Sequence, residues 1–412
     1  MLGVFKFGAS GLLTLVDMFD LLSQVTHAAR LLGGGGSAMV AFLANSLCRL
    51  GAAVVLAYLV GVPVTRAATP SWITVNKSNS GFVLSSSGSA FIPWGFNYSR
   101  DERVRLIEDY WNEAGSEGWT KIERDFREMR LLGANVVRVN LQFAKFMDGP
   151  GKPNRIALAR LETLINLAES MDIYLDITGL GTFRARDVPQ WYNSLSERDR
   201  WSVQSEFWEA IASAGASHPG VFAYNLMNEP LVSTERRSSG QWTHPLELDG
   251  LRYVEYINLD PAGRTSTDIA RAWAQQLTEA IHKHDRRHAI TLGMIWLDGV
   301  APENMPIAPA AIAPAVDFVA VHMYPATGRV DIALKALTHY RIGKPIVVEE
   351  TFPLHCTSKE YADFLRGSRA TASGWLAHFW SLTPDDLRGK TDAPSVLMLE
   401  SLGSFRDLNP NR

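Results

Sequence analysis

The feature that most constrains this chain is a repeated alternation of short apolar segments with amphipathic segments, which begins at about Trp72. Apolar segments such as NVVRVNL and VFAYNLMN carry apolar residues on both faces, as parallel strands covered by helices do. Amphipathic segments such as WTKIERDFREMRLLG repeat apolar residues every three or four positions, and this one ends at a glycine. The alternation predicts an α/β domain with a mainly parallel sheet.

Eight such strand segments predict a (β/α)8 TIM barrel that occupies residues 72–406. A short N-terminal β-hairpin, GFVLSSSGSAFIP, is predicted before the barrel because serine and glycine fill its turn. The fifth unit is the weakest, since its connecting segment LDGVAPENMPIAPAAIAPA is rich in proline and alanine and only marginally helical.

The first part of the chain is not expected to belong to the barrel. Residues 39–68 contain Arg49, an uncharged and largely apolar run, and then small residues, as a signal peptide does. The run is shorter than the ~20 apolar residues of a spanning helix, although an uncleaved membrane anchor stays an alternative. Residues 1–38 are expected to be a poorly ordered tail or an extension upstream of the true start. A secreted or extracytoplasmic location follows from either reading.

Charge and cysteine content exclude several classes of function. The net charge of −3 gives no attraction to nucleic acid or to anionic membranes. Cys48 and Cys356 form neither a metal-binding spacing nor a disulfide framework. His282, His284 and His288 lie at a predicted helix end, where cations favour the helix dipole. We expect no metal, no cofactor and a monomeric chain, with membrane contact only if the N-terminal segment stays as an anchor.

Polar and aromatic side chains accumulate where the predicted strands end, which is the face that carries the active site in such barrels. Burying unpaired charges there would cost several kcal/mol, so stability alone does not explain them. The residues are Asn97, Tyr98, Arg138, Asn140, Asn228, Glu229, Trp296, His322, Tyr324, Glu349, Glu350 and Trp380.

Two carboxylates, at the ends of the fourth and seventh strands, would face each other across the barrel mouth. Carboxyl groups about 5 Å apart are the machinery of a retaining glycosidase. One is protonated and donates to the leaving oxygen, while the other is ionised and attacks the anomeric carbon. The ordinary alternatives are a polar surface turn for Glu229, a satisfied core histidine for His322 and core packing for Trp296.

The motifs FIPWGFNY, VRVN, HPGVFAYNLMNEP, VHMYP and KPIVVEETF, in this order, resemble glycoside hydrolase family 5, the cellulase and β-mannanase family. The resemblance covers about Trp72 to Ser381. It implies an enzyme that hydrolyses O-glycosyl bonds of a β-linked oligo- or polysaccharide.

The resemblance also implies residue roles. Glu229 would be the acid/base, and Asn228 beside it would bind the sugar 2-hydroxyl. Glu350 would be the nucleophile, with Tyr324 as its hydrogen-bond donor and Arg138 as the charge that keeps it ionised.

Other residues are expected to support these. His322 shares a strand face with Tyr324 and is predicted to assist catalysis. Trp380 would form an aromatic floor under the sugar, and the remaining predicted substrate contacts are Trp296, Asn97 and Tyr98.

Two local features bear on the glutamates. Pro230 is expected to restrict Glu229 to extended geometry. The family usually has an aromatic residue and a glycine after the nucleophile, but Thr351 follows here, so Glu349 stays an alternative to Glu350. Side-chain alternation would place these two glutamates on opposite faces of the strand.

The sequence therefore predicts a retaining β-glycosidase that cuts a glucan- or mannan-type polysaccharide internally. A carbohydrate-binding barrel without catalysis and a transglycosylase with the same site are the alternatives.

Overall fold

A computed structural model describes residues 70–412 except 99, 113–116, 302–303 and 379. The predicted extension at 1–38 and the predicted signal segment at 39–68 lie outside the described residues. Within the described part of the chain, no helix is both long and apolar enough to cross a bilayer.

Eight parallel strands close into a barrel, in which each strand pairs with its neighbours along the chain and the last pairs with the first. The predicted (β/α)8 barrel is thereby confirmed. The barrel strands are β4 (Trp94–Tyr98), β5 (Val136–Gln142), β8 (Tyr174–Gly181), β9 (Val221–Asn228), β10 (Ala289–Ile295), β11 (Val319–His322), β12 (Ile346–Thr351) and β13 (Gly374–Ala377). The remaining strands are β1 (Ile73–Val75), β2 (Phe82–Leu84), β3 (Ala90–Phe91), β6 (Met147–Gly149) and β7 (Lys152–Pro153).

Helices follow most barrel strands, and several begin at a side chain that accepts from their first free N–H groups, as Asn154, Ser196 and Thr265 do. The helices are α1 (Ile107–Tyr110), α2 (Glu117–Leu131), α3 (Phe143–Phe146), α4 (Arg155–Ser170), α5 (Gln190–Asn193), α6 (Glu197–Gly215), α7 (Ser266–His282), α8 (Pro309–Ile312), α9 (Val330–Thr338), α10 (Ser358–Ser368), α11 (Pro384–Leu387) and α12 (Ala393–Asp407), with a 3₁₀ turn at Ala185–Asp187. In the fifth unit, α8 (Pro309–Ile312) is an α-helix of four residues, in line with the marginal helical pattern of this segment.

The last helix, α12, is absent from the sequence-based prediction. Its start carries two signals, because the Asp392 side chain accepts from Ser395 and a proline stands in the first turn. Phe405 on this helix stacks on Trp94 of β4 with ring centroids 4.0 Å apart. The helix thus covers the seam where the last strand meets the first.

A three-stranded antiparallel sheet lies against the N-terminal end of the barrel. The predicted hairpin is its β2–β3 pair, in which Phe82 lies opposite Phe91, and β1 adds a third strand. The Phe82 ring packs edge-on against Phe222 and Phe318, with centroids 5.1 and 5.3 Å apart. These contacts fill the barrel interior at this end with apolar side chains.

At the opposite end of the barrel, where the strands reach their C-terminal ends, the pairing between strands is irregular. The register of β12 shifts against both neighbours near Glu349 and Glu350. Both glutamates contact Arg138 inside the barrel, so the expectation that they point to opposite faces is wrong. The physical reason is the bulge, because an extra residue in one strand breaks the period-two alternation.

Candidate active site

Arg138 on β5 is the centre of the polar cluster at this end of the barrel. Its guanidinium is fully buried and donates to Asn97 Oδ1 at 2.9 Å, to Asn228 Oδ1 at 3.0 Å and to Glu350. Its Nε lies 3.3 Å from Glu349 Oε2. Burial would lower the pKa of Arg138, but Glu349 and Glu350 raise it above its usual value. Arg138 is therefore a permanent cation shared by two carboxylates.

Glu350 belongs to this cluster and is slightly accessible to solvent, with 7% of its surface exposed. The Tyr324 hydroxyl donates to its Oε2 at 2.7 Å. Burial would raise the pKa of Glu350, but the charges of His322 and Arg138 and the Tyr324 hydrogen bond lower it to about 2. His378 Nδ1 lies 3.5 Å from the same oxygen, and burial lowers the pKa of His378 to about 4. Glu350 is thus ionised at neutral pH.

Glu229 follows β9 and lies in the left-handed region, with φ of 45°. The expectation that Pro230 restricts it to extended geometry is therefore wrong. Its backbone N–H donates to Gly293 O at 2.9 Å, which fixes the chain at this turn against the preference that proline imposes. A non-glycine residue in this region costs about 1–3 kcal/mol, and such strain concentrates at functional sites. Here it accompanies a carboxyl that contacts His322.

His322 lies between the two candidate catalytic carboxylates. Its Nδ1 is 2.8 Å from Glu229 Oε1 and 3.5 Å from Glu350 Oε2. One polar atom from each of these three residues lies within 4.8 Å of the other two. Burial would lower the pKa of His322, but Glu350, Glu229 and Glu349 raise it to about 9. Glu229 has His322 as a hydrogen-bonding partner, and Glu350 has Tyr324.

The Asn228 side chain is fixed from two sides. Its Oδ1 accepts from Arg138, and its Nδ2 donates to the Tyr253 carbonyl at 2.9 Å. Tyr253 belongs to the long segment after β9, which Glu255 anchors through a buried pair with Arg200 at 3.2 Å. Asn228 is therefore held at the barrel mouth beside Glu229.

Two of the predicted substrate contacts have other roles. The Asn97 Nδ2 group donates to the carbonyls of Glu349 and Ala377, at 2.8 and 3.3 Å, and its Oδ1 accepts from Arg138, so both ends of this amide bond to the protein. The Tyr98 hydroxyl donates to Asp125 on α2 at 2.8 Å. Tyr98 points out of the barrel because it follows the inward-facing Asn97 by one residue.

The two predicted aromatic contacts are buried. Trp380 is 1% exposed and its ring meets Phe96 edge-on at 5.3 Å. Trp296 is 8% exposed and belongs to the main hydrophobic core, which agrees with the core-packing alternative. Neither ring offers an open face as a sugar platform in this structure, because each is covered by its own packing contacts.

Three residues of the cluster escaped the sequence analysis, namely Asp176 on β8, Asn225 on β9 and His378 after β13. Asp176 and Asn225 are fully buried and lie near Glu349. Burial and the Glu349 charge raise the pKa of Asp176 well above its usual range. For Asp176 and Asn225 the available signal was a polar side chain inside a strand that is largely apolar.

The barrel and its site define a class of protein. Glu229 and Glu350, at the ends of the fourth and seventh strands, lie close together and both contact His322, and glycoside hydrolysis uses a pair of carboxyl groups. The family model described as cellulase, glycosyl hydrolase family 5, matches residues 102–375. The chain belongs to this family and is a glycoside hydrolase, a β-glycosidase by class.

Solved structures show the same fold. An exo-β-1,4-mannosidase from Opitutaceae bacterium strain TAV5 superposes with a TM-score of 0.56 at 16% identity, over 81% of this chain and 61% of its own. A GH5_18 variant from Streptomyces cattleya in complex with Manβ1-4GlcNAc has a TM-score of 0.54 at 15% identity, over 78% and 82%. A β-1,4-mannanase from the sea hare Aplysia kurodai has a TM-score of 0.51 at 16% identity, over 74% and 92%. A search of curated proteins finds no match.

Proposed function

We propose that this protein is a retaining β-glycosidase that cuts a β-linked polysaccharide of glucan or mannan type internally. The observation that carries the proposal is the approach of Glu229 and Glu350, whose nearest carboxylate oxygens lie within 4.8 Å of each other. Carboxyl groups about 5–5.5 Å apart serve double displacement, whereas inverting enzymes need about 6.5–9.5 Å to admit a water.

In the first step, the ionised Glu350 attacks the anomeric carbon and forms a glycosyl ester. The bond to the leaving oxygen breaks as Glu229 donates a proton to that oxygen. In the second step Glu229 removes a proton from water, which attacks the same carbon and releases Glu350. Arg138 and Tyr324 hold the Glu350 carboxylate in place and in its charged form.

The geometry favours Glu350 over Glu349 as the nucleophile. Glu349 is fully buried and Asn225 donates to it at 2.7 Å, so a sugar would have no path to its oxygens. Glu350 retains some accessibility and faces Glu229. Asn228, fixed beside Glu229, is the group proposed to bind the sugar 2-hydroxyl.

β-Mannosides are the first substrates to test, because the names of the structural neighbours include a β-1,4-mannosidase and a β-1,4-mannanase. The chain spans 61% of the mannosidase's length, so substrate and mode of cleavage belong to this proposal. We propose further that residues 72–406 are the catalytic unit, and that residues 39–68 direct it out of the cytoplasm.

The test is incubation of the chain from about Pro70 with β-mannans, β-glucans and glycolipids, with detection of new reducing ends. Glu350→Gln should lose at least ~10⁴-fold in kcat, whereas the surface variant Glu123→Gln should keep wild-type rates. A 2-fluoro glycoside of the sugar that is cleaved should label Glu350, and the first product should keep the β configuration. An α product would exclude the retaining mechanism.

Two further readouts separate the alternatives. Internal cleavage gives a falling chain length before monosaccharide accumulates. Tight binding in calorimetry without any turnover would favour a binding barrel, and transfer to an added sugar that exceeds hydrolysis would favour a transglycosylase.

A further inference from the structure

A chain of hydrogen bonds beneath the two candidate catalytic carboxylates begins at the backbone N–H of Gly293. This group can only donate, and it donates to Asn225 Oδ1 at 2.9 Å. Asn225 Nδ2 is therefore the donor in its 2.7 Å contact with Glu349 Oε2. The backbone thus fixes the orientation of the Asn225 amide and makes Glu349 Oε2 an acceptor.

The same Glu349 oxygen lies 3.2 Å from His322 Nε2. Since Oε2 is an acceptor, Nε2 is the donor and carries a proton. Arg138 adds its charge, with Nε at 3.3 Å from this oxygen.

Gly293 leaves the space in which these groups meet. A Cβ at this position would lie 2.8 Å from His322 Nε2 and 3.0 Å from both Arg138 Nη2 and Glu349 Oε2. Real Cβ atoms essentially never approach as closely as the first distance, and the other two are tighter than most real Cβ contacts, so a side chain here would displace the cluster.

Because Nε2 is protonated, the protonation of Nδ1, the other nitrogen of His322, determines whether Glu229 carries a proton. Nδ1 lies 2.8 Å from Glu229 Oε1, and this contact needs one proton. The proton can lie on Glu229, with neutral His322, or on His322, with ionised Glu229. A carboxylate that fixes the tautomer of a histidine is the arrangement by which proton-transferring histidines are oriented in other enzymes.

We propose that Glu349 is a positioning residue that keeps the Nε2 proton on His322, and so sets how tightly the Glu229–His322 pair holds the proton delivered to the glycosidic oxygen. This inference rests on the proposed function, in which Glu229 is the acid/base. It gives Glu349 a role through His322, distinct from that of the nucleophile next to it.

The surroundings of His322 determine the expected direction of the pH effect. Its charged and titratable neighbours come from five strands and their loops, and they are Glu229 after β9, Arg138 on β5, Glu349 and Glu350 on β12, His378 after β13 and Tyr324 after β11. Asp176 on β8 faces Glu349. Burial would raise the pKa of Glu349, but Arg138 and His322 lower it, so Glu349 supplies a negative charge that favours retention of the proton by the pair.

The test is the pH profile of kcat/KM for Glu349→Gln, on the substrate that the wild type cleaves. The glutamine oxygen can still accept from Asn225 and His322, but the negative charge is lost. The pair then releases its proton more readily, so the basic limb should move to lower pH by about 1–3 units. Glu108→Gln is the matched control, since Glu108 is also buried but contacts Gln142, outside this cluster, and its basic limb should not move.

Leaving-group dependence separates positioning from a general loss of structure. Glu349→Gln should lose about 100-fold on substrates with poor leaving groups, which need the acid, and only a few-fold on dinitrophenyl glycosides, which do not. An equal loss on both, or an unchanged basic limb, would overturn the proposal. Asp176→Asn should move the limb less than Glu349→Gln does, and an equal shift would remove the assignment to Glu349.

A readout without substrate keeps this inference distinct from the proposed function. In ¹⁵N-histidine-labelled wild type, His322 should show a protonated Nε2 throughout about pH 5–8, with the signal identified from a His322→Gln spectrum. Protonation of Nδ1 alone would contradict the proposal whether or not a glycoside is cleaved. If the spectrum agrees but no glycoside is hydrolysed, the proposed function fails and the positioning of the tautomer stands.

Discussion

The two ends of the barrel interior are built on opposite physical principles. At the N-terminal end, Phe82, Phe222 and Phe318 meet through their rings, and the interior is apolar. At the C-terminal end, Arg138 and Glu349 are fully buried in a cluster of charged and amide groups. Apolar contacts stabilise the first end by excluding water. At the second end the contacts between the charged groups must offset the cost of removing those charges from water, so this end contributes less to stability.

The comparison predicts that mutations at the apolar end lower stability, whereas mutations at the polar end lower activity. Phe82→Ala removes a ring that is 2% exposed and packed in the apolar end. The free energy of unfolding should fall by about 3–5 kcal/mol, while kcat measured at a temperature where the variant is folded should not change. Urea denaturation and steady-state kinetics measure the two quantities.

Phe82→Leu serves as the control for this experiment, because it keeps most of the apolar volume and should lose clearly less stability. A fall in kcat in the folded alanine variant would show that the sheet below the barrel is coupled to the active site, and the separation of the two ends would then be wrong.

The sequence anticipated these two ends to different degrees. Strands that are apolar on both faces predicted the barrel, and polar residues at their ends predicted Arg138, Glu229 and Glu350. The alternation of side chains along β4 also predicts the orientation of Tyr98, because this residue follows Asn97 by one position and faces the opposite side of the strand.

Other features depend on contacts that no local pattern encodes. The bulge that turns both Glu349 and Glu350 inward arises from register shifts against β11 and β13, and the sequence of β12 does not contain them. The burial of Trp380 depends on its packing against Phe96. The positive φ of Glu229 opposes the local preference that Pro230 sets, and a bond to Gly293 maintains it.

A polar pair near the apolar end sharpens the comparison. Asp285 contacts His288 Nδ1 at 2.5 Å and accepts from the Tyr224 hydroxyl at 2.9 Å. Burial would raise the pKa of Asp285, but the hydrogen bond and charge of His288, together with the Arg287 N–H, lower it to about 2.

The lowered pKa fixes the sign of a stability effect. A carboxyl whose pKa is lower in the folded state stabilises the protein above its unfolded pKa of about 4, and this contribution is lost as the pH falls towards 2. The contribution is about 2 kcal/mol. Urea denaturation between about pH 5 and 2 should therefore show a steeper loss of stability for the wild type than for Asp285→Asn. Equal slopes would show that the pair lacks this role, and kcat should be unaffected at neutral pH.

The smallest expected effect lies at the C-terminal end of the barrel. Tyr324→Phe removes the hydroxyl that donates to Glu350 at 2.7 Å and leaves the ring in place. A hydrogen bond to a charged group contributes about 1.5 kcal/mol, so kcat/KM should fall roughly tenfold. Because this hydrogen bond lowers the pKa of Glu350, its loss raises that pKa, and the acidic limb of the pH profile should move to higher pH.

Stability at neutral pH should change much less than in Phe82→Ala. A variant that loses stability but keeps its acidic limb would show that Tyr324 acts as a packing residue, and that the C-terminal end of the barrel also contributes to stability.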